Sequence, residues 1–230
     1  MGGFFGVVSR NNCVLDLFFG VDYHSHLGTR CGGMAVYDPD HGFQRQIHHI
    51  ENSPFRTKFE NDLVDFCGCL GIGCISDIDP QPLLVRSHFG MYAISTVGII
   101  NNAEALVDEY FSDHGHQFMA MTNGKVNSSE LVAALINHKD DIVSGIRYAQ
   151  QVIDGSMTIL ILTSEGIIAA RDRMGRLPVH IGRRNDGYSV SFESFAFSKL
   201  EYKNAYELGP GEIVKIYADH YEVLRERGLQ

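Results

Sequence analysis

The chain opens on an apolar run. Gly3 to Ser9, with Phe4, Phe5, Val7 and Val8, reads as a buried strand. Asn11 or Asn12 then offers an N-cap to a short helix through Phe19, with Val14, Leu15, Leu17 and Phe18 as its apolar side. Gly32 to Tyr37 and Gly42 to Ile50 read as two strands turned by Asp38-Pro39-Asp40. Thr57 to Phe66 places Phe59, Leu63 and Phe66 at helical spacing. Strands return at Leu70 to Ser76, Leu83 to Ser87 and Met91 to Ile100. Helices are predicted at Ala103 to Phe111, after a cap at Asn127, Ser128 or Ser129, and at Asp140 to Ile153. The last third reads as strand: Thr158 to Thr163 and Ile167 to Ala170 flank the hairpin signal Ser164-Glu165-Gly166. Val179 to Gly182, Tyr188 to Phe192, Glu212 to Tyr217 and Tyr221 to Leu224 follow.

Strands, then helices, then strands predict two antiparallel sheets with helices outside, an α+β fold, rather than alternating βαβ units. No internal repeat or linker divides the chain, so one domain over residues 1–230 is expected. Composition agrees: 44% apolar and 20% charged residues are globular usage. A net charge of −9 lacks the basic footprint of non-specific nucleic-acid binding. No apolar run reaches the ~18 residues of a membrane span. The N-terminus lacks the basic segment of a signal peptide, and Gly6 stands where myristoylation wants Ser or Thr. A cytoplasmic protein with neither nucleic-acid nor membrane partners is the expectation.

Five cysteines, Cys13, Cys31, Cys67, Cys69 and Cys74, are an odd count that suggests no disulfide framework. Cys67-Gly-Cys69 followed by Cys74 departs from the Cys-x₂₋₄-Cys pairing of structural zinc, and no fourth ligand lies nearby in sequence. No metal is expected, and His24, His26, His48, His49, His114 and His116 read as surface or capping residues. Phosphate-loop, dinucleotide, nucleophile-elbow and zinc-protease motifs are absent, so no cofactor is expected.

Several segments in order carry a more specific signal. They are Gly3-Phe4-Phe5-Gly6-Val7-Val8, His26 to Met34, Gly71-Ile72-Gly73, Asn102-Ala103 with Leu106, Arg171-Asp172-x-x-Gly175-Arg176-x-Pro178, Glu193-Ser194, and Leu208-Gly-Pro-Gly-Glu212. Together they resemble the class II, N-terminal-nucleophile glutamine amidotransferase domain, in the form found as the N-terminal half of amidophosphoribosyltransferases. The resemblance covers nearly the whole chain and implies a four-layer αββα sandwich.

It also implies a mechanism. A cysteine directly after the initiator Met attacks the glutamine amide, with its own α-amino group as base. An Asn side chain and a Gly N–H hold the oxyanion, and an Arg and an Asp clamp the substrate's α-carboxylate and α-ammonium. At those positions this chain has Gly2 for the nucleophile, Val97 beside Gly98 for the oxyanion pair, Ser76 for the Arg and Ser128 for the Asp. Losing one oxyanion donor alone costs roughly 10²–10³ in rate, and losing the nucleophile removes the covalent route. The resemblance therefore implies a glutaminase domain that has lost its activity and keeps a structural or regulatory role. Its alternative is a stand-alone pseudo-glutaminase that binds a small molecule or a protein. No strand ending in paired acidic residues and a Gly-Thr phosphate loop occurs, so a phosphoribosyltransferase domain is expected downstream or in trans, along with homo-oligomers.

Overall fold

A computed structural model describes residues 2–114, 118–122 and 124–228. The first third contains β1 (Gly2–Ser9), α1 (Val14–Asp22), β2 (Cys31–Asp38), β3 (Gly42–His49), α2 (Phe55–Phe59) and β4 (Leu70–Ser76). The middle contains β5 (Leu83–Ser87), β6 (Gly90–Ile100), α3 (Ala103–His114), β7 (Met121–Thr122), β8 (Lys125–Val126), α4 (Ser128–Asn137) and α5 (Ile142–Val152). The last third contains β9 (Gly155–Leu162), β10 (Ile167–Ala170), β11 (His180–Arg184), β12 (Gly187–Ser191), α6 (Phe195–Lys199), β13 (Lys203–Glu207), β14 (Ile213–Ile216) and β15 (Tyr221–Arg225).

Seven strands form one sheet in the order β13-β11-β12-β1-β4-β2-β3, and six form a second in the order β15-β14-β10-β9-β6-β5. Every pairing within them is antiparallel. The period of two sorts side chains between layers. Phe4 and Val8 of β1 pack between the sheets with Leu160, Leu162 and Val214. Phe5 and Val7 point outward onto Leu17, Phe18 and Phe55 of α1 and α2. On the far side, Ile94, Ile159 and Ile161 carry Leu131, Val132 and Ile136 of α4 and Ile146 of α5. The result is helix on sheet on sheet on helix, as the sequence predicts.

Local signals account for most boundaries. Asn127 caps α4, its side chain accepting the N–H groups of Ser129 and Glu130, and Asp141 caps α5 through Ser144. Four expectations need correction. Leu15 is 60% exposed, so it lies off the apolar face of α1. The helix drawn from Thr57 to Phe66 is a short α2 followed by a separate single turn at Asp62–Val64. β13 went unpredicted because Lys203-Asn-Ala-Tyr-Glu207 is an exposed edge strand without alternating pattern. His24 is fully buried rather than at the surface, and it meets the capping half of its reading, its Nδ1 donating to the Gly20 carbonyl in the last turn of α1, while His116 and the side chain of His114 lie outside the described residues.

Candidate functional site

β1, β4 and β6 end together at one edge of the sandwich, where β4 runs into the loop 77–82 and α4 begins. Gly2, Ser76, Val97, Gly98 and Ser128 all line a single small pocket there. The structure thus gathers every position that the family resemblance assigns to the nucleophile, the oxyanion pair and the substrate clamp.

The local chemistry is that of a closed site. Gly2 pairs with Ser76 across β1 and β4, and the strands approach so tightly that a Cβ on Gly2 would lie 2.3 Å from the Ile75 carbonyl oxygen. Ser76 turns back on its own loop, its Oγ accepting the N–H groups of Ile78 and Asp79 at 3.2 and 3.1 Å. Val97 is buried in the core between the sheets. At Gly98 the backbone has φ +152° and a Cβ would meet the Ser156 carbonyl at 1.8 Å, so only glycine fits. The Ser128 N–H, at the start of α4, is taken by the Asp79 carboxylate at 2.9 Å.

Two lining residues were not singled out from sequence. Asp79 is 5% exposed and is the only charged side chain in the lining, which holds no Lys, Arg or His. Gln81 is equally buried, and both ends of its amide are hydrogen-bonded. Nε2 donates to the Thr96 carbonyl at 2.8 Å, and Oε1 accepts from Thr96 N–H and Ser129 Oγ, each at 2.8 Å. Their signal was the run Ser76-Asp-Ile-Asp-Pro-Gln-Pro82 directly after a buried strand, whose polar residues had no obvious solvent-facing pattern. The free volume is about 20 Å³, room for roughly one water.

No other cysteine replaces the missing thiol. Cys74, fully buried beside the pocket, donates to the Gln81 carbonyl at 3.5 Å, and burial pushes its thiol up to about 12. Burial also raises Cys13 and Cys31. A useful nucleophile needs the opposite shift.

The second family segment is fully engaged. Arg171 Nε donates to Leu177 O at 2.7 Å, and its two terminal nitrogens reach the carbonyls of Gly175 and Leu208 and the Glu207 carboxylate. Asp172, 3% exposed, accepts the N–H groups of Met174 and Leu177. Glu212 ties Gly209 N–H to the Tyr206 hydroxyl. These charges hold a turn together and do not reach the pocket of Gly2.

Comparison with known proteins agrees with this geometry. Residues 70–198, more than half the chain, match the glutamine amidotransferase domain family. The amidophosphoribosyltransferase of Methanocaldococcus jannaschii is 30% identical over 94% of this chain and 47% of its own length. That of Pseudomonas aeruginosa is 24% identical over 94% and 46%. The chain therefore spans about half the length of the curated relatives it matches. In structure, glutamine phosphoribosylpyrophosphate amidotransferase from B. subtilis, solved with ADP and GMP, superposes with a TM-score of 0.86 at 23% identity. The match covers 99% of this chain and 50% of that one. A glutamine aminotransferase class-II domain protein from Silicibacter pomeroyi gives a TM-score of 0.63 at 11% identity, covering 99% and 100%. Among the described residues, no helix is long and apolar enough to cross a membrane.

Proposed function

The chain belongs to the glutamine amidotransferase domain family, and on that premise we propose that this amidophosphoribosyltransferase-like domain no longer hydrolyses glutamine and keeps a structural or regulatory role. The observation that carries the proposal is Gly2, which supplies no nucleophile at the head of β1 and leaves no room for one against Ile75.

The rest of the pocket supports the same reading. Among the described residues that line it, an α-carboxylate entering would meet no Lys, Arg or His side chain, and the one acidic side chain there is Asp79. Val97 offers the oxyanion no donor, and the N–H of Ser128 is already satisfied. A free volume of about 20 Å³ favours a structural role over a small-molecule binding module, whose sites run to ~300 Å³ or more. A phosphoribosyltransferase domain, downstream or in trans, is the partner that such a domain would serve.

The test is release of labelled ammonia from amide-¹⁵N glutamine by purified protein whose N-terminus has been verified by mass spectrometry. Wild type and Gly2→Cys are both expected to stay at background. Release by the wild type overturns the proposal. Release by Gly2→Cys alone would show that the clamp and oxyanion positions still function and that only the thiol is missing.

A further inference from the structure

Away from this pocket, three metal-ligand side chains from two separate parts of the chain converge. β2 enters beside Ser76, where Cys31 pairs with it, and leaves at Asp38. Seven residues at ~3.3 Å each put Asp38 roughly 23 Å from the pocket end of the strand. There the β2–β3 hairpin turns, and the segment leading into β4 crosses beside it. Asp38, His41 and Cys67 each present one ligand atom, and these atoms all lie within 4.8 Å of one another.

We propose that Asp38, His41 and Cys67 bind a divalent cation of the zinc class, with water in the fourth position. The donor chemistry is that of zinc: one thiolate, one imidazole and one carboxylate, in the pattern of three protein ligands and an open position. Ligands sharing a zinc ion at ~2.0–2.3 Å each sit roughly 3–4 Å apart, so side-chain movements of about an ångström close the site.

The scaffold holds both halves in place before any ion arrives. Asp38 Oδ1 accepts the N–H groups of Asp40 and His41 at 2.9 and 3.2 Å and meets His41 Nδ1 at 2.9 Å. This fixes the turn and leaves Oδ2 towards Cys67, whose Sγ stands 4.0 Å away. Cys67 is pinned from the other side: its N–H donates to Gln44 Oε1 at 3.0 Å, and its carbonyl accepts from Gln44 Nε2 at 3.1 Å. Sequence spacing hid this arrangement because Asp38 and Cys67 are far apart along the chain and meet only through the pairing of β2 with β3 and β4.

Loading displaces the thiol proton of Cys67 to solvent, which leaves a thiolate–metal bond and makes affinity fall as pH falls. The bound ion would staple the hairpin to the entrance of β4.

The test titrates the reduced, metal-free protein with Co²⁺ followed by displacement with Zn²⁺. One equivalent should bind, with the intense near-ultraviolet absorption of a cobalt–thiolate bond, and Zn²⁺ should raise the melting temperature. Cys67→Ser and His41→Ala should each weaken binding about 10- to 100-fold and remove the thermal shift, while Cys31→Ser should leave both intact. Cys67 and His41 are exposed, so these variants should fold, and the melting temperature without metal checks this. No stoichiometric binding, no thiolate band, or binding that survives Cys67→Ser overturns the proposal.

Discussion

Two parts of this molecule carry the family resemblance, and they differ in what they keep. The Arg171–Pro178 turn retains Arg171 and Asp172, and both are held by groups of the protein itself, mostly backbone. The pocket at Gly2 lacks the thiol, the Asn, the Arg and the Asp side chains that the resemblance assigns to it, and its space is taken up by strand contact, Asp79 and Gln81. A residue whose partners are internal cannot be lost without loss of the fold. A residue whose partner is a substrate can be lost while the fold survives.

The sharpest way to break this contrast is Arg171→Ala. It would leave the carbonyls of Gly175, Leu177 and Leu208 without their donor in a region that is mostly buried. Each orphaned group costs about 1–3 kcal/mol, and a loss of about 3–5 kcal/mol in urea unfolding is expected. A loss below 1 kcal/mol would mean that the turn is no scaffold.

The effect at Gly2 should be smaller. Gly2→Cys must move β4 away from β1, and overpacking of that kind costs about 1–3 kcal/mol. The midpoint of urea unfolding reads it directly, and an unchanged midpoint would show that the closed pocket opens freely.

The smallest effect concerns pH. His24 belongs with Arg171 because the protein satisfies it internally. Its Nδ1 donates to Gly20 O at 2.7 Å, and its Nε2 accepts the Glu193 N–H at 3.2 Å. Burial lowers its pKa from 6.5, so the folded state resists protonation and the unfolded state does not. Below about pH 6.5 the unfolded state binds more protons. Stability is therefore full above that value and falls as pH drops towards the folded pKa, by at most about 1.4 kcal/mol per pH unit. Unfolding measured between pH 7 and 5 should show this slope in the wild type and a shallower one in His24→Gln. Equal slopes would remove His24 from the internally satisfied set.

Much of the architecture was legible because it rests on local pattern. β4, β5 and β10 match the sequence reading residue for residue, since apolar runs bounded by Gly, Ser and Asp leave little choice of boundary. The cap of α4 was legible to within three residues, Asn127, Ser128 or Ser129, because a capping side chain acts locally, and the structure selects Asn127. The five pocket positions came from the resemblance and not from their own chemistry, as Gly2, Ser76, Val97 and Ser128 carry no charge to draw attention. What stayed hidden was long-range. Gln81 reaches Thr96 and Ser129, and Asp79 reaches Ser128, across loops whose meeting only the two-sheet packing decides.

The tight pairing at Gly2 also bears on how this sequence can change. Two of the four glycine codons lie one base away from a cysteine codon, so the substitution can be genetically small. Structurally it is remote, because the Ile75 carbonyl stands where the new Cβ would go. β4 and the loop 77–82 would have to shift first, and such shifts bring no benefit until the thiol is present. A thiol at this position is therefore more than a one-residue change, because it carries the cost of about 1–3 kcal/mol of parting β1 from β4.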